Sequence, residues 1–118
     1  LSDTKDEKEI RELADALYRR VDWQWALNGT KTICLGWKSG SGFLPYYWDT
    51  DYTEALLMYT LAMGSPTFPI GAEGYRQWTA TFQWKKLYGI EHLYSGPLFI
   101  HQLSHVWIDF RGINDDFN

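Results

Sequence analysis

The sequence predicts a mainly α-helical protein with one short β or extended excursion around residues 30–47. Three observations carry this prediction. Residues 4–27 keep a helical apolar period, with Ile10, Leu13, Ala14, Leu17, Tyr18, Val21 and Trp25 on one face and Lys8, Glu12, Asp15 and Arg19 on the other. Residues 51–63 are apolar almost throughout and are followed by Gly64 and Pro66, which end helices. Between these two stretches, "TKTICLGWK" alternates roughly in twos and runs into "SGSG". That pattern suits a strand pair or extended segment closed by a flexible loop.

Thr4 and Glu7 have the spacing of a capping box and start the first helix. The second helix is expected from about Asp51 to Met63, with Gly64 as a left-handed C-terminal cap and Pro66 preventing continuation. Ala55, Leu56, Leu57, Met58, Tyr59, Leu61, Ala62 and Met63 leave it no polar face, so it needs burial on nearly every side. A third helix is predicted over 73–87, with Tyr75, Trp78, Thr79 and Phe82 along one face. A fourth is predicted over 97–110, apolar apart from His101, Gln102, Ser104, His105 and Asp109. Two largely apolar helices demand more cover than two flanking helices give. The missing cover is expected from further helices outside this chain, from a complementary chain, or from self-association.

The 118 residues suffice for one modest domain. A formal net charge of −4 and the lack of any basic run exclude a nucleic-acid partner, because such binding depends on Lys and Arg displacing counterions. No stretch is long enough for a membrane span, and no membrane partner is expected. Cys34 is the single cysteine, so no internal disulfide or thiolate metal cluster can form, and it reads as a small buried residue. The sequence starts at Leu1 with no leader-like segment, which predicts an excised or processed piece. Seven Trp, eight Tyr and six Phe make 18% of the chain aromatic, more than a small core needs, and point to a binding surface or part of a larger core.

"WDTDYTE" places three acids, Asp49, Asp51 and Glu54, beside Tyr46, Tyr47, Trp48 and Tyr52 at the start of the apolar helix. Two readings fit. On a helix, Asp51 and Glu54 are three apart, about 5–6 Å between Cβ atoms, and form a variant capping box at the positive helix end. Equally, acids among aromatic rings are what a sugar site requires, since rings stack on the C–H faces of a pyranose while carboxylates hold hydroxyls or move protons. A pair so close is too near to be both acid and base of an inverting glycosidase, which keeps them ~6.5–9.5 Å apart. One would act while the other tunes it, and the second working carboxylate would come from elsewhere. "HQLSH" has the i, i+4 spacing of two zinc ligands, but Gln102 stands where a metalloprotease needs its Glu. No metal and no cofactor are therefore expected, and His101 reads better as a cleft-wall donor to a ligand hydroxyl. "GWKSGSG" lacks the glycine before Lys38 that a phosphate loop needs, and reads as a mobile loop presenting Trp37. Trp23 and Trp25 join Trp37, Tyr47 and Trp48 as candidates for sugar stacking.

Three blocks, "RRVDWQWAL", "GWKSGSGFLPYYWDTDYTEALLMYTLAMGSPTFPI" and "YSGPLFIHQLSHVWIDFRGI", resemble the glycoamylase-like family, which includes the endo-β-1,2-glucanases of glycoside hydrolase family 144. The resemblance runs from about Leu13 to Asp116. It implies that residues 1–118 are the N-terminal portion of a longer catalytic domain, part of an (α/α)6 toroid with its cleft at one end. It implies a glycoside hydrolase performing metal-free, inverting hydrolysis of a β-linked glucan where the full domain is present, and otherwise a non-catalytic carbohydrate-binding or scaffold piece. Asp51 and Glu54 fall on acidic cleft positions of the family. "WDTDYTE" is longer than the usual Trp-Asp-x-Tyr-Ser-Glu form, which leaves Asp49 and Asp51 interchangeable in role. His101, Asp109 and Arg111 lie in the last of these blocks, which gives them cleft roles by resemblance, and together with the stacking candidates Trp37, Tyr47 and Trp48 they are expected to bind substrate. A periplasmic or extracellular location follows from the family alone.

Overall fold

The computed structural model describes residues 4–113. In chain order the elements are α1 (Lys5–Arg20), α2 (Trp23–Ala26), β1 (Trp37–Lys38), β2 (Gly42–Phe43), α3 (Ala55–Met63), α4 (Glu73–Thr79), β3 (Gln83–Leu87), β4 (Ile90–Tyr94) and α5 (Leu98–Trp107). The protein is mainly helical, with two separate two-stranded antiparallel sheets, β1–β2 and β3–β4.

The capping box at the start of α1 forms as expected: Thr4 Oγ1 accepts from Glu7 N, and Glu7 Oε2 accepts from Thr4 N. The helix does not continue to residue 27. Val21 is extended, and Asp22 restarts the chain as the N-cap of α2, its Oδ1 accepting from Trp25 N at 2.8 Å. An Asp side chain competes well for orphan amides at a helix start, and here that preference overrides the apolar period. α1 is tied down by polar contacts instead: Tyr18 donates to the Leu61 carbonyl at 2.6 Å, and Thr67 Oγ1 donates to the Arg19 carbonyl at 2.7 Å. Its apolar stripe stays uncovered, with Ile10, Leu13 and Leu17 at 64%, 57% and 61% exposure.

The excursion after α2 matches expectation. Cys34 and Tyr47 form an antiparallel bridge, and Trp37 pairs with Phe43 across the first hairpin. Cys34 is buried and its thiol contacts the Gly36, Leu44 and Tyr46 carbonyls, in keeping with a small packed residue. α3 starts later than its sequence pattern implies. Asp51 takes a φ of 50°, so residues 51 and 52 form a bend and the helix begins at Ala55. Its C-cap Gly64 is right-handed, with φ −82°, and not the left-handed cap expected. Only Ala55, Tyr59 and Ala62 of α3 are fully buried, so the cover its composition calls for is present on one face alone.

Residues 73–87 do not form the single helix expected. The helix stops at Thr79, and Gln83–Tyr94 form a second hairpin, with Gln83 paired to Tyr94 and Leu87 to Ile90. Tyr88 and Gly89, with φ of 53° and 81°, make the two-residue turn between them. Two successive positive φ values are what a tight hairpin turn needs to follow strand twist, and Gly accepts the second at no steric cost. The fourth predicted helix is present as α5 but ends at Trp107, where Ile108 becomes extended.

The core is small and aromatic. Ile33, Ala55, Tyr59, Ala62, Ile70 and Trp78 form it. Trp78 is its hub: Tyr59 stacks on it at 5.1 Å, while Phe82 and Tyr75 meet it edge-on at 4.9 and 5.9 Å. Gly74 lets α4 press against the chain, because a Cβ there would collide with the Lys31 carbonyl. The radius of gyration is 16.8 Å; a compact domain of this length would have about 13.5 Å. The arrangement is open.

Candidate functional site

The acidic loop is held by the core beneath it. Tyr59 donates to the Trp48 carbonyl at 2.7 Å, and Trp48 N donates back to Ile33. Burial pushes the Tyr59 phenol above its ordinary range, outweighing the lowering from the Ile33 backbone, and the nearby Asp49 charge adds to the rise. The phenol therefore stays protonated and keeps donating. Asp51 is fixed at two points: Trp78 Nε1 donates to its carbonyl at 2.7 Å, and Gln83 Nε2 donates to Oδ1 at 2.9 Å. Tyr52 lies between Trp78 and His101, stacked on both at 6.2 and 5.2 Å, and its hydroxyl shares a 2.9 Å hydrogen bond with Ser104.

Glu54 occupies the N-cap position of α3, yet its side chain caps nothing. Among the described residues it makes no ion pair or side-chain hydrogen bond. The capping-box reading of Asp51 and Glu54 is thus overturned, because the bend at Asp51 takes that residue off the helix. Glu54 lines a cleft of about 350 Å³ with Trp23, Leu57, Met58, Leu61, Leu103, Ser104 and Trp107. A carboxylate at the positive end of a helix dipole, in a largely apolar cleft with two indoles, is placed to accept from a ligand hydroxyl or exchange a proton.

A second cleft, of about 550 Å³, contains His101 and His105 with Tyr52, Phe82, Trp84 and Glu91 among its lining. The Tyr52–Ser104 hydrogen bond joins the wall of this cleft to the wall of the first. His101 and Glu54, both expected at one site, therefore line neighbouring clefts. Asp109 and Arg111 lie on the chain after α5 and pair with each other, Arg111 Nε and NH2 donating to the two carboxylate oxygens at 2.8 Å each. This pairing holds the Asp109 carboxyl below the usual range. Trp37 packs against Trp25 in the first hairpin, and Tyr47 accepts from Asn28 Nδ2 at 3.0 Å. With Trp48, which packs on the core, they line neither cleft, and nor do Asp49 and Asp51. Trp107 and Gln83 were absent from the sequence expectations. Trp107 had a usable signal, lying one helical turn beyond Leu103 and Ser104; Gln83 had none while 73–87 was read as helix. Among the described residues, no group of three or more His, Cys, Asp or Glu is placed to hold a metal ion. No described helix is long and apolar enough to cross a membrane.

Fold and site together define a mainly helical scaffold with a tryptophan-walled, acid-bearing cleft at the start of a central helix. A family model described as "Glycoamylase: Putative glucoamylase" matches residues 45–118. The chain belongs to this glycoamylase family. It is similar to an endo-β-1,2-glucanase from Chitinophaga pinensis, solved with sophorotriose and glucose, at 28% identity and a TM-score of 0.77 over 99% of this chain and 31% of that one. Two structures sharing the family description are also similar. The one from Bacteroides caccae has 31% identity and a TM-score of 0.76 over 98% of this chain and 31% of its own. The one from Bacteroides fragilis has 32% identity and a TM-score of 0.74 over 97% and 30%. The chain therefore spans less than a third of the length of these structures. No curated protein matches it.

Proposed function

We propose that the chain is part of a glycoside hydrolase acting on a β-linked glucan, by inverting hydrolysis of a β-1,2 linkage. The observation that carries this reading is Glu54, a carboxylate without a partner among the described residues, in a cleft walled by Trp23 and Trp107. Indoles offer flat faces to a pyranose, and an uncommitted carboxylate is the group that proton transfer to a glycosidic oxygen or through a substrate hydroxyl requires. Asp51 and Asp49, on the loop leading into α3, assist that proton path. The opposing carboxylate, ~6.5–9.5 Å away across the sugar in an inverting enzyme, belongs to the remainder of the domain. Acid–base hydrolysis of this kind uses no cofactor.

Residues 1–118 are, in this proposal, the N-terminal portion of a catalytic domain built as an (α/α)6 toroid, in a periplasmic or extracellular protein. The 30–31% share of the similar structures that the chain spans supports this, as do the uncovered apolar faces of α1 and α5. The short span also favours a second reading, a carbohydrate-binding or scaffold role without turnover. Linear β-1,2-, β-1,3- and β-1,4-glucans and starch, given to the complete domain and assayed for new reducing ends with the product anomer read by proton NMR, separate the two. Cleavage of the β-1,2-glucan with the α-anomer formed first is the expected result. β-Anomer product would remove the inverting mechanism, and changes in Trp fluorescence with glucan but no new ends would favour the binding role.

A further inference from the structure

Asp51 is where the loop before α3 departs furthest from ordinary backbone. Its φ of 50° lies in the left-handed region, which Asp tolerates better than most residues but which still needs surrounding contacts to persist. Two contacts from different elements supply them. Trp78 is fully buried, so the indole N–H that meets the Asp51 carbonyl is held by the core. Gln83 is the first residue of β3, and its carboxamide reaches Oδ1 at 2.9 Å. No hydrogen bond or ion pair among the described residues engages Oδ2.

We propose that Gln83 is a positioning residue for Asp51, fixing the plane of its carboxylate so that Oδ2 faces a glucan hydroxyl or a water. The proposal rests on the reading that Asp51 serves glucan hydrolysis. A carboxamide suits the task because it is a neutral donor, orienting the carboxylate without pairing its charge as Arg or Lys would. Without that bond the carboxylate rotates freely about its terminal torsion, whose energy profile is broad. Misplacing a reacting group by about 1 Å costs on the order of a hundredfold in rate. The hairpin β3–β4 thereby acquires a role in the site that its distance along the chain conceals.

Gln83→Met removes the donor while keeping side-chain length, and Gln83→Glu sets a second carboxylate against Asp51. In the complete domain, both are expected to lower kcat on the cleaved glucan by about 10–100-fold with KM within about twofold, and to leave the melting temperature near that of the parent. A mere surface hydrogen bond would leave kcat untouched. In NMR, the Gln83 side-chain amide should be shifted from exposed glutamines and should move to their position in Asp51→Ala, with the Trp78 indole signal reporting that the core is intact. Unchanged kcat in Gln83→Met, beside loss of turnover in Asp51→Asn, overturns the positioning role and leaves the functional reading standing. An Asp51→Asn variant that turns over normally, or a complete parent domain that neither cleaves nor binds glucan, overturns the functional reading and the positioning role with it. An undispersed Gln83 amide overturns the positioning role without any assay of activity.

Discussion

At the scale of single residues, what a side chain bonds to separates structural acids from available ones. Glu54 has no partner to lose, so Glu54→Gln should cost less than about 1 kcal/mol, the scale of a helix-dipole contact, and thermal melts would read it. Tyr59 contrasts with it: its hydroxyl is a buried donor to the Trp48 carbonyl. Tyr59→Phe leaves that carbonyl short of a partner and should cost about 1–3 kcal/mol; a loss near zero in denaturant titration would show that water reaches the carbonyl. Asp109 offers a test in pH. Arg111 lowers its titration, so the pair's contribution is present at neutral pH and is lost as pH falls through the lowered value. In Arg111→Ala the Asp109 midpoint, followed by carboxyl carbon NMR, should move upward toward the ordinary range. These roles were only half legible beforehand. That Asp49, Asp51 and Glu54 sit among aromatics is visible in "WDTDYTE", whereas the bend that takes Asp51 off the helix depends on Trp78 and Gln83, roughly thirty residues away in the fold's own bonding.

Among the elements, local signals decide the structure where the partner of a residue is near in sequence and mislead where two local preferences compete. The capping box at Thr4 and Glu7 and the extended excursion after α2 follow from neighbours within a few positions. Asp22 could serve either as a polar interruption on an amphipathic helix or as a new N-cap, and the backbone chose the cap. Asp22→Ala should cost about 1 kcal/mol. The segment 83–94 carries alternation around Tyr88-Gly89 that a helical reading of Trp78 and Phe82 masked. Both rings still reach the core, Trp78 from α4 and Phe82 from the turn that leads into β3. The hairpin depends on Gly89, where a φ of 81° penalises any Cβ. Gly89→Val should therefore destabilise the turn by about 1–2 kcal/mol, seen as faster amide exchange in β3 and β4; unchanged exchange would mean the turn can refold into another type.

For the whole molecule, the apolar excess read from composition is borne out as exposed surface. Leu98, Phe99, Val106 and Trp107 of α5 and the stripe on α1 have no cover among the described residues, and the buried Trp23 indole N–H has no acceptor there. In the proposed account these faces meet the remainder of a toroidal domain. The isolated chain should then sediment as larger species with rising concentration, and a monomer at all concentrations would argue against that cover. The central claim is narrower and rests on Glu54. The most direct test takes the complete domain that contains this chain and compares the parent sequence with Glu54→Gln in release of reducing ends from linear β-1,2-glucan. Turnover by the parent, abolished in the folded variant, is the predicted result; equal turnover in both would contradict the account.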